Sequence, residues 1–172
     1  MRIVLRIRSM PRSFKPLILG LAAISACAMA VHASPLLIYN PSPSIPVGFY
    51  WRADGTPQLG DFVIMRAARA APVYARERDF SDRTDRFIKR IAAASGQRVC
   101  ADGDHVSIDE TRVVYRLRAD KLGRPLPTWS GCRTLAPNEV FLLGDTADSF
   151  DGRYWGPVHV QDIDGPWRPV RP

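Results

Sequence analysis

Asn40-Pro-Ser-Pro-Ser-Ile-Pro-Val-Gly-Phe-Tyr50 is the stretch from which the fold is read. Prolines at 41, 43 and 46 fix φ, remove N–H donors and push each preceding residue towards extended geometry, so the stretch is stiff and cannot be helical. Ser42 and Ser44 then fall on the same face of an extended chain. From Leu36 onward, Pro and Gly are frequent and apolar runs are short, which indicates a β-rich body and not a helical bundle. Residues 62–65 after Gly60-Asp61, and 140–143 before Gly144-Asp145, read as buried strands. Residues 106–108 and 113–115 flank a polar turn as a hairpin, with another turn at Asp102-Gly103 just before it. Phe87-Ile-Lys-Arg-Ile91 reads as a strand or a short helix. Residues 67–86, rich in Ala and Arg, read as an irregular insertion or surface helix. The simplest architecture for these elements is mainly β, a partly open antiparallel β-barrel with long loops.

With 172 residues, 46% of them apolar, the chain is long enough for one well-packed domain and short for two. Its formal charge of +7 is concentrated at one end. Arg2, Arg6, Arg8, Arg12 and Lys15 precede any acid, which leaves 19 basic against 17 acidic residues over the remainder. No nucleic-acid partner is expected. Pro16-Leu-Ile-Leu-Gly-Leu-Ala-Ala-Ile-Ser-Ala-Cys-Ala-Met-Ala-Val31 comes next, an uncharged run directed at a membrane. At about 1.5 Å per residue it spans about 24 Å, against a hydrocarbon core of roughly 30 Å, and Leu36, Leu37 and Ile38 can extend it. Retention as one transmembrane helix is the preferred reading. Ala28-Met-Ala30 and Val31-His-Ala33 carry small residues at the spacing a processing enzyme reads, so cleavage is the alternative. In either case the positive-inside rule leaves the basic tail in the cytoplasm and exports the chain beyond Pro35. The expected division is a tail and anchor over 1–35 and an exported domain over 36–172. Cys27 lies in the apolar run, leaving Cys100 and Cys132 as the pair in the exported part. A disulfide suits that compartment; two buried thiols are the alternative, and a Cα separation beyond about 7 Å excludes the bridge.

His32, His105 and His159 are scattered, and no Cys or His cluster has ligand spacing, so no metal is expected. A Ser-His-Asp triad would have no Gly-x-Ser-x-Gly elbow to support it. Lysine usage is more informative, because only Lys15, Lys89 and Lys121 are lysines among 24 basic residues. Arginine stays protonated, whereas a desolvated lysine can act as a base. Lys15 is on the cytoplasmic side, and Lys121 sits in a charged turn where its amine stays hydrated. Lys89 alone has apolar company, with Phe87 and Ile88 before it and residues 91–94 after Arg90. Holding an ordinary lysine neutral at pH 7 costs about 4.6 kcal/mol, and burial must supply that shift. A stiff segment suits a nucleophile: Ser44 can offer its hydroxyl for attack and its N–H to an oxyanion, with the Ser42 hydroxyl as second donor.

Ser42-Pro-Ser44-Ile-Pro-Val-Gly-Phe-Tyr50 is similar to the nucleophile signature of TraF-type peptidases, relatives of bacterial signal peptidase I. Gly60-Asp-Phe-Val-Ile64 resembles the Gly-Asp strand that comes after it, and Phe87-Ile-Lys-Arg-Ile91 resembles the box of the lysine base. Gly144-Asp-Thr-Ala-Asp-Ser-Phe-Asp-Gly-Arg-Tyr-Trp-Gly156 resembles the last box. The resemblance implies a β-rich fold of signal peptidase type and no cofactor. It implies Ser44 as nucleophile, Lys89 as general base, Ser42 as oxyanion helper and Ser149 as the serine that orients the lysine. Gly144, Asp145, Asp151 and Arg153 match the supporting framework. The function implied is a serine endopeptidase at the bacterial inner membrane, with its catalytic domain in the periplasm. It cleaves an exported precursor after small residues, with a conjugative pilin or another signal-peptide-bearing protein as partner, and an amine in place of water gives a cyclic product. Three departures stand out: Ala92-Ala-Ala-Ser-Gly96-Gln97 comes after the lysine where Gly-x-Pro-Gly-Asp is common, Gly152 stands where Ser is common, and the last box is one residue short. A non-catalytic exported scaffold of a conjugation system is the main rival. A self-cleaving repressor is the other, and it lacks its helix-turn-helix here.

Overall fold

A computed structural model of the protein describes residues 35–80 and 85–170. The expected transmembrane helix falls outside the described residues, and among those described no helix is long and apolar enough to cross a membrane. The unit from Leu36 onward is mainly β. Strands β1 (Leu37–Asn40) and β2 (Gly48–Arg52) bracket the Pro/Ser stretch and pair antiparallel, with Leu37 opposite Trp51 and Asn40 opposite Gly48. β3 (Phe62–Arg66) pairs with β4 (Arg86–Ala93), which settles the stretch around Lys89 as strand. Between them the Ala/Arg-rich insertion folds as two short helices, α1 (Ala67–Ala70) and α2 (Pro72–Glu77).

β5 (Arg98–Asp102), β6 (His105–Ile108), β7 (Arg112–Tyr115) and β8 (Gly131–Thr134) form a smaller sheet in the order β7-β6-β5-β8. The expected hairpin is β6–β7, and its turn places Asp109 and Glu110 at positive φ. Cys100 and Cys132 lie directly opposite one another on β5 and β8, 4.0 Å apart at Cα, and are joined by a disulfide. β9 (Glu139–Leu143), α3 (Gly152–Trp155), β10 (Val158–His159) and β11 (Ile163–Pro169) complete the described chain. The larger sheet runs β1-β2-β11-β3-β4-β9-β10. Both sheets are antiparallel and open, since their outer strands do not pair with each other. The mainly β, open antiparallel architecture expected from sequence is thus present, divided between a curled larger sheet and a smaller one.

The uninterrupted apolar runs have a simple cause. In β9, Phe141 and Leu143 pack with the small sheet's Val99, Val106 and Ile108, whereas Val140 and Leu142 pack on the opposite face with Val63, Met65 and Ile91. β3 is likewise covered on both faces, because Phe62 and Ile64 join Ile45, Tyr50 and Trp167. A strand buried on both sides has no position to give to a polar residue, which is why period-two alternation is absent there. The site is positioned by this packing: Ile45, fully buried one residue after Ser44, anchors the Pro/Ser turn to the core.

Candidate active site

The Pro/Ser stretch reverses direction between β1 and β2, so residues 43 and 44 form a turn and the run is not continuously extended. With three prolines the segment is short of N–H donors, and its carbonyls need partners from elsewhere. Asn40 supplies them. Its Nδ2 donates to the carbonyls of Ser42 at 2.8 Å, Pro46 at 3.1 Å and Ile45 at 3.3 Å, while its Oδ1 accepts from Ser42 N–H at 3.1 Å. The Tyr50 hydroxyl donates to the Pro46 carbonyl at 2.7 Å. From the other side, Asp145 N–H donates to the Ser44 carbonyl at 2.6 Å. Ser44 is therefore held before and after its own Cα. Asn40 is the residue that sequence reasoning misses, although an Asn just before a Pro-rich turn is a recognisable side-chain substitute for backbone bonding.

β4 brings Lys89 to this turn. The strand pairs Lys89 with Val63, and its alternation turns Phe87 and Lys89 towards a cavity of about 300 Å³ that Ser42, Ser44, Ser149 and Phe150 also line. Lys89 Nζ lies 2.8 Å from Ser44 Oγ, and the two residues are 4% and 7% exposed. Burial, above all, pulls the Lys89 amine down from 10.5 to about 8, and nearby Arg153 lowers it further against the opposing pull of Asp151, Asp145 and Asp148. Holding it neutral at pH 7 then costs about 1.4 kcal/mol, one pKa unit, and not the roughly 4.6 kcal/mol of a hydrated lysine. Ser42 Oγ donates to Ser44 Oγ at 3.1 Å and accepts from Ser44 N–H at 3.3 Å.

Beneath the pair, the loop after β9 is built around buried charge. Asp151 caps α3 by accepting from Arg153 N–H at 3.1 Å, and its other oxygen accepts from Gly144 N–H at 2.7 Å. Burial pushes the Asp151 carboxyl up, opposed by the Arg153 guanidinium 3.3 Å away and by those N–H donors. Arg153 ties the loop together by donating to the carbonyls of Ala147 at 2.7 Å, Thr146 at 3.0 Å and Gly144 at 3.1 Å. Asp145 forms a two-point ion pair with Arg90, at 3.0 and 3.3 Å, so the residue next to Lys89 also fixes the residue that binds the Ser44 carbonyl. A side chain cannot be added at Gly144: a Cβ there would lie 2.1 Å from Ser149 Oγ and 2.7 Å from the Ser44 carbonyl oxygen. Gly152 is equally constrained, since its Cβ would meet the Leu142 carbonyl at 2.6 Å and the Phe141 ring at 2.8 Å, which explains the departure from Ser.

The structure thus brings Ser42, Ser44, Lys89, Gly144, Asp145, Ser149, Asp151 and Arg153 into one neighbourhood. Cys100 and Cys132 are in the small sheet, away from the cavity lining. Ser149 is buried on the cavity wall, where its hydroxyl helps to hold the Asp151 carboxyl down against burial, and its Oγ makes no hydrogen bond to Lys89. Lys121, read in sequence as hydrated, is 88% exposed in its side chain and pairs with Asp148 at 3.3 Å. It nevertheless lines the same cavity. Chemically, a buried amine with a lowered pKa beside a hydroxyl, with O–H and N–H donors adjoining, is suited to accept the hydroxyl proton as the oxygen attacks a carbonyl.

A family model described as signal peptidase, peptidase S26, matches residues 12–170. The chain belongs to this signal peptidase family. Among its relatives is a plasmid transfer protein TraF of Escherichia coli, 34% identical over 164 residues, which span 89% of this chain and 91% of that protein. A probable conjugal transfer protein TraF of Sinorhizobium fredii is 30% identical over 178 residues, covering 94% of this chain and 93% of its own. A crystal structure of a signal peptidase I from Enterococcus faecalis overlays with a TM-score of 0.38 at 19% identity, covering 66% of this chain and 98% of that one. Signal peptidase family members and TraF proteins of conjugation are thus the relatives of this chain.

Proposed function

We propose that this protein is a membrane-bound serine endopeptidase that cleaves an exported precursor, such as a conjugative pilin, after small residues. The observation that carries the proposal is the 2.8 Å contact between two buried groups, Lys89 Nζ and Ser44 Oγ. Neutral Lys89 takes the Ser44 proton as Oγ bonds to the scissile carbonyl carbon. The carbonyl oxygen becomes an oxyanion, a stronger acceptor than the Ser42 and Ser44 groups that now bond one another, so Ser44 N–H and Ser42 O–H turn to it. Collapse breaks the C–N bond, and the Lys89 ammonium gives its proton to the departing amine. Water, deprotonated by Lys89, then hydrolyses the acyl-serine; an amine of the substrate attacking in place of water gives a cyclic product. The link to conjugation rests on the TraF relatives.

An apolar face supports the membrane location. Leu37, Tyr39, Phe49 and Trp51 are each about half exposed, and Leu37 stands opposite Trp51 and Tyr39 opposite Phe49 on the β1–β2 ribbon. This face begins six residues after the apolar run that ends at Val31. The test is mass spectrometry of a candidate pilin co-expressed with the protein. Wild type should yield the processed product, whereas Ser44→Ala and Lys89→Arg should leave the precursor intact. Full processing by either variant sinks the Ser44–Lys89 assignment and leaves a scaffold role.

A further inference from the structure

A second cavity, also about 300 Å³, adjoins the one that holds Ser44 and Lys89; Lys121, Asp148 and Phe150 line both. None of the chemistry above uses it. Its floor is aromatic: Tyr74 from α2 stacks on Phe150 at 3.8 Å between ring centroids, and Phe150 stacks on Tyr154 at 5.1 Å. Its rim is the segment between β7 and β8, which presents Leu117 and Leu122 at 49% and 77% exposure. That rim is braced in place. The buried Arg78 side chain donates to Asp120 Oδ2 at 3.2 Å and to the Pro125 carbonyl at 3.4 Å, and its guanidinium lies over the Tyr74 ring at 3.7 Å. Asp120 accepts from the N–H groups of Leu122 and Arg124, both at 2.9 Å, and Leu117 N–H donates to the Tyr154 hydroxyl at 2.9 Å. A pre-formed apolar concavity that spends buried charge on holding its own walls is built as a binding surface.

Resting on the Ser44–Lys89 reading, we propose that this groove is a substrate subsite for a large apolar or aromatic side chain of the processed polypeptide, a few residues from the bond cut at Ser44. Continuity decides the occupant, because a chain lying across Ser44 and past Phe150 enters the groove without leaving the protein. The Lys121–Asp148 pair at the shared boundary is largely solvent-exposed, so parting it for a passing backbone costs little. The enzyme then selects on two features, small residues at the cut and a bulky one at a fixed distance from it.

The experiment uses the full-length protein in detergent and fluorogenic peptides with an all-Ala core through which one Phe is walked over four positions on either side. One or two Phe positions should raise kcat/KM by roughly tenfold, mainly through KM. In Leu117→Ser/Leu122→Ser, both exposed enough to change without unfolding, the Phe-over-Ala ratio should fall close to one. Fluorescein-labelled versions of the same peptides bound to Ser44→Ala read the groove apart from the chemistry, since the Phe preference should persist in affinity when nothing is cleaved. A flat Phe scan, or a preference that survives the double substitution, overturns the subsite. Loss of cleavage of every peptide by wild type, with the affinity preference intact, overturns only the assignment of Ser44 and Lys89.

Discussion

At the scale of single residues, Lys89 carries opposite consequences for chemistry and stability. In the proposed mechanism its neutral form is the base, so kcat/KM should rise with pH through about 8 and level off above it, measured with a peptide free of titrating groups. Its stability effect comes from proton counting. The unfolded lysine keeps its proton to about 10.5 and the folded one loses it near 8, so the unfolded state binds more protons in between, and stability should rise as pH increases over that window. Below 8 the buried amine is a standing cost. Lys89→Met should therefore stabilise the protein at pH 7 by up to about 3 kcal/mol in urea titrations while abolishing activity, and should flatten the rise between 8 and 10.5. Asn40 acts through Ser44 and not on substrate. Asn40→Ala should cost about 2 to 4 kcal/mol and lower kcat by tenfold or more with little change in KM. Asn40→Asp keeps the acceptor for Ser42 N–H but faces three carbonyl oxygens with no donor, so it should not rescue kcat. Recovery of kcat in the Asp variant would refute the positioning role.

At the scale of elements, the β1–β2 ribbon and the small sheet make separable predictions. If the ribbon lies on the bilayer, Trp51 in the full chain reconstituted in vesicles should be quenched by brominated acyl chains, and Trp51→Phe should remove most of that quenching, because of the three other tryptophans Trp167 is fully buried and Trp129 and Trp155 are packed against core clusters that the ribbon does not join. Equal quenching in the variant would argue against contact through this face. The disulfide closes a separation of 32 residues, for which chain entropy gives about 4 kcal/mol. Cys100→Ser/Cys132→Ser should lower stability by about that amount in urea, yet leave kcat close to wild type at low temperature, because no strand of the small sheet lines the Ser44–Lys89 cavity.

At the scale of the whole molecule, local order is legible in the sequence and long-range order is not. β3, β9 and the β6–β7 hairpin announce themselves through apolar runs and turn residues, and Lys89 stands out because so few lysines compete with it. The stretch around Lys89 is ambiguous by itself, since five residues do not separate period 2 from 3.6. The Pro/Ser run reads as extended, but with Asn40 and Gly48 opposite one another the chain has to turn back within it. Arg78 gives no signal, because its partners Asp120 and Pro125 are distant in sequence. The placement of β11 between β2 and β3 is also invisible, as no local pattern says which neighbours the last strand takes.

That placement sets a schedule. β2, the strand after Ser44, reaches β3 and the Lys89 strand only across β11, so the larger sheet lacks its bridge until Ile163–Pro169 has been made. During synthesis the earlier hairpins can form, but the strand that joins β2 to β3 is the last of the described strands to be made. The proposed dyad is thus timed by translation: a nascent chain carries both Ser44 and Lys89 for more than seventy codons before β11 has been made to join β2 to β3.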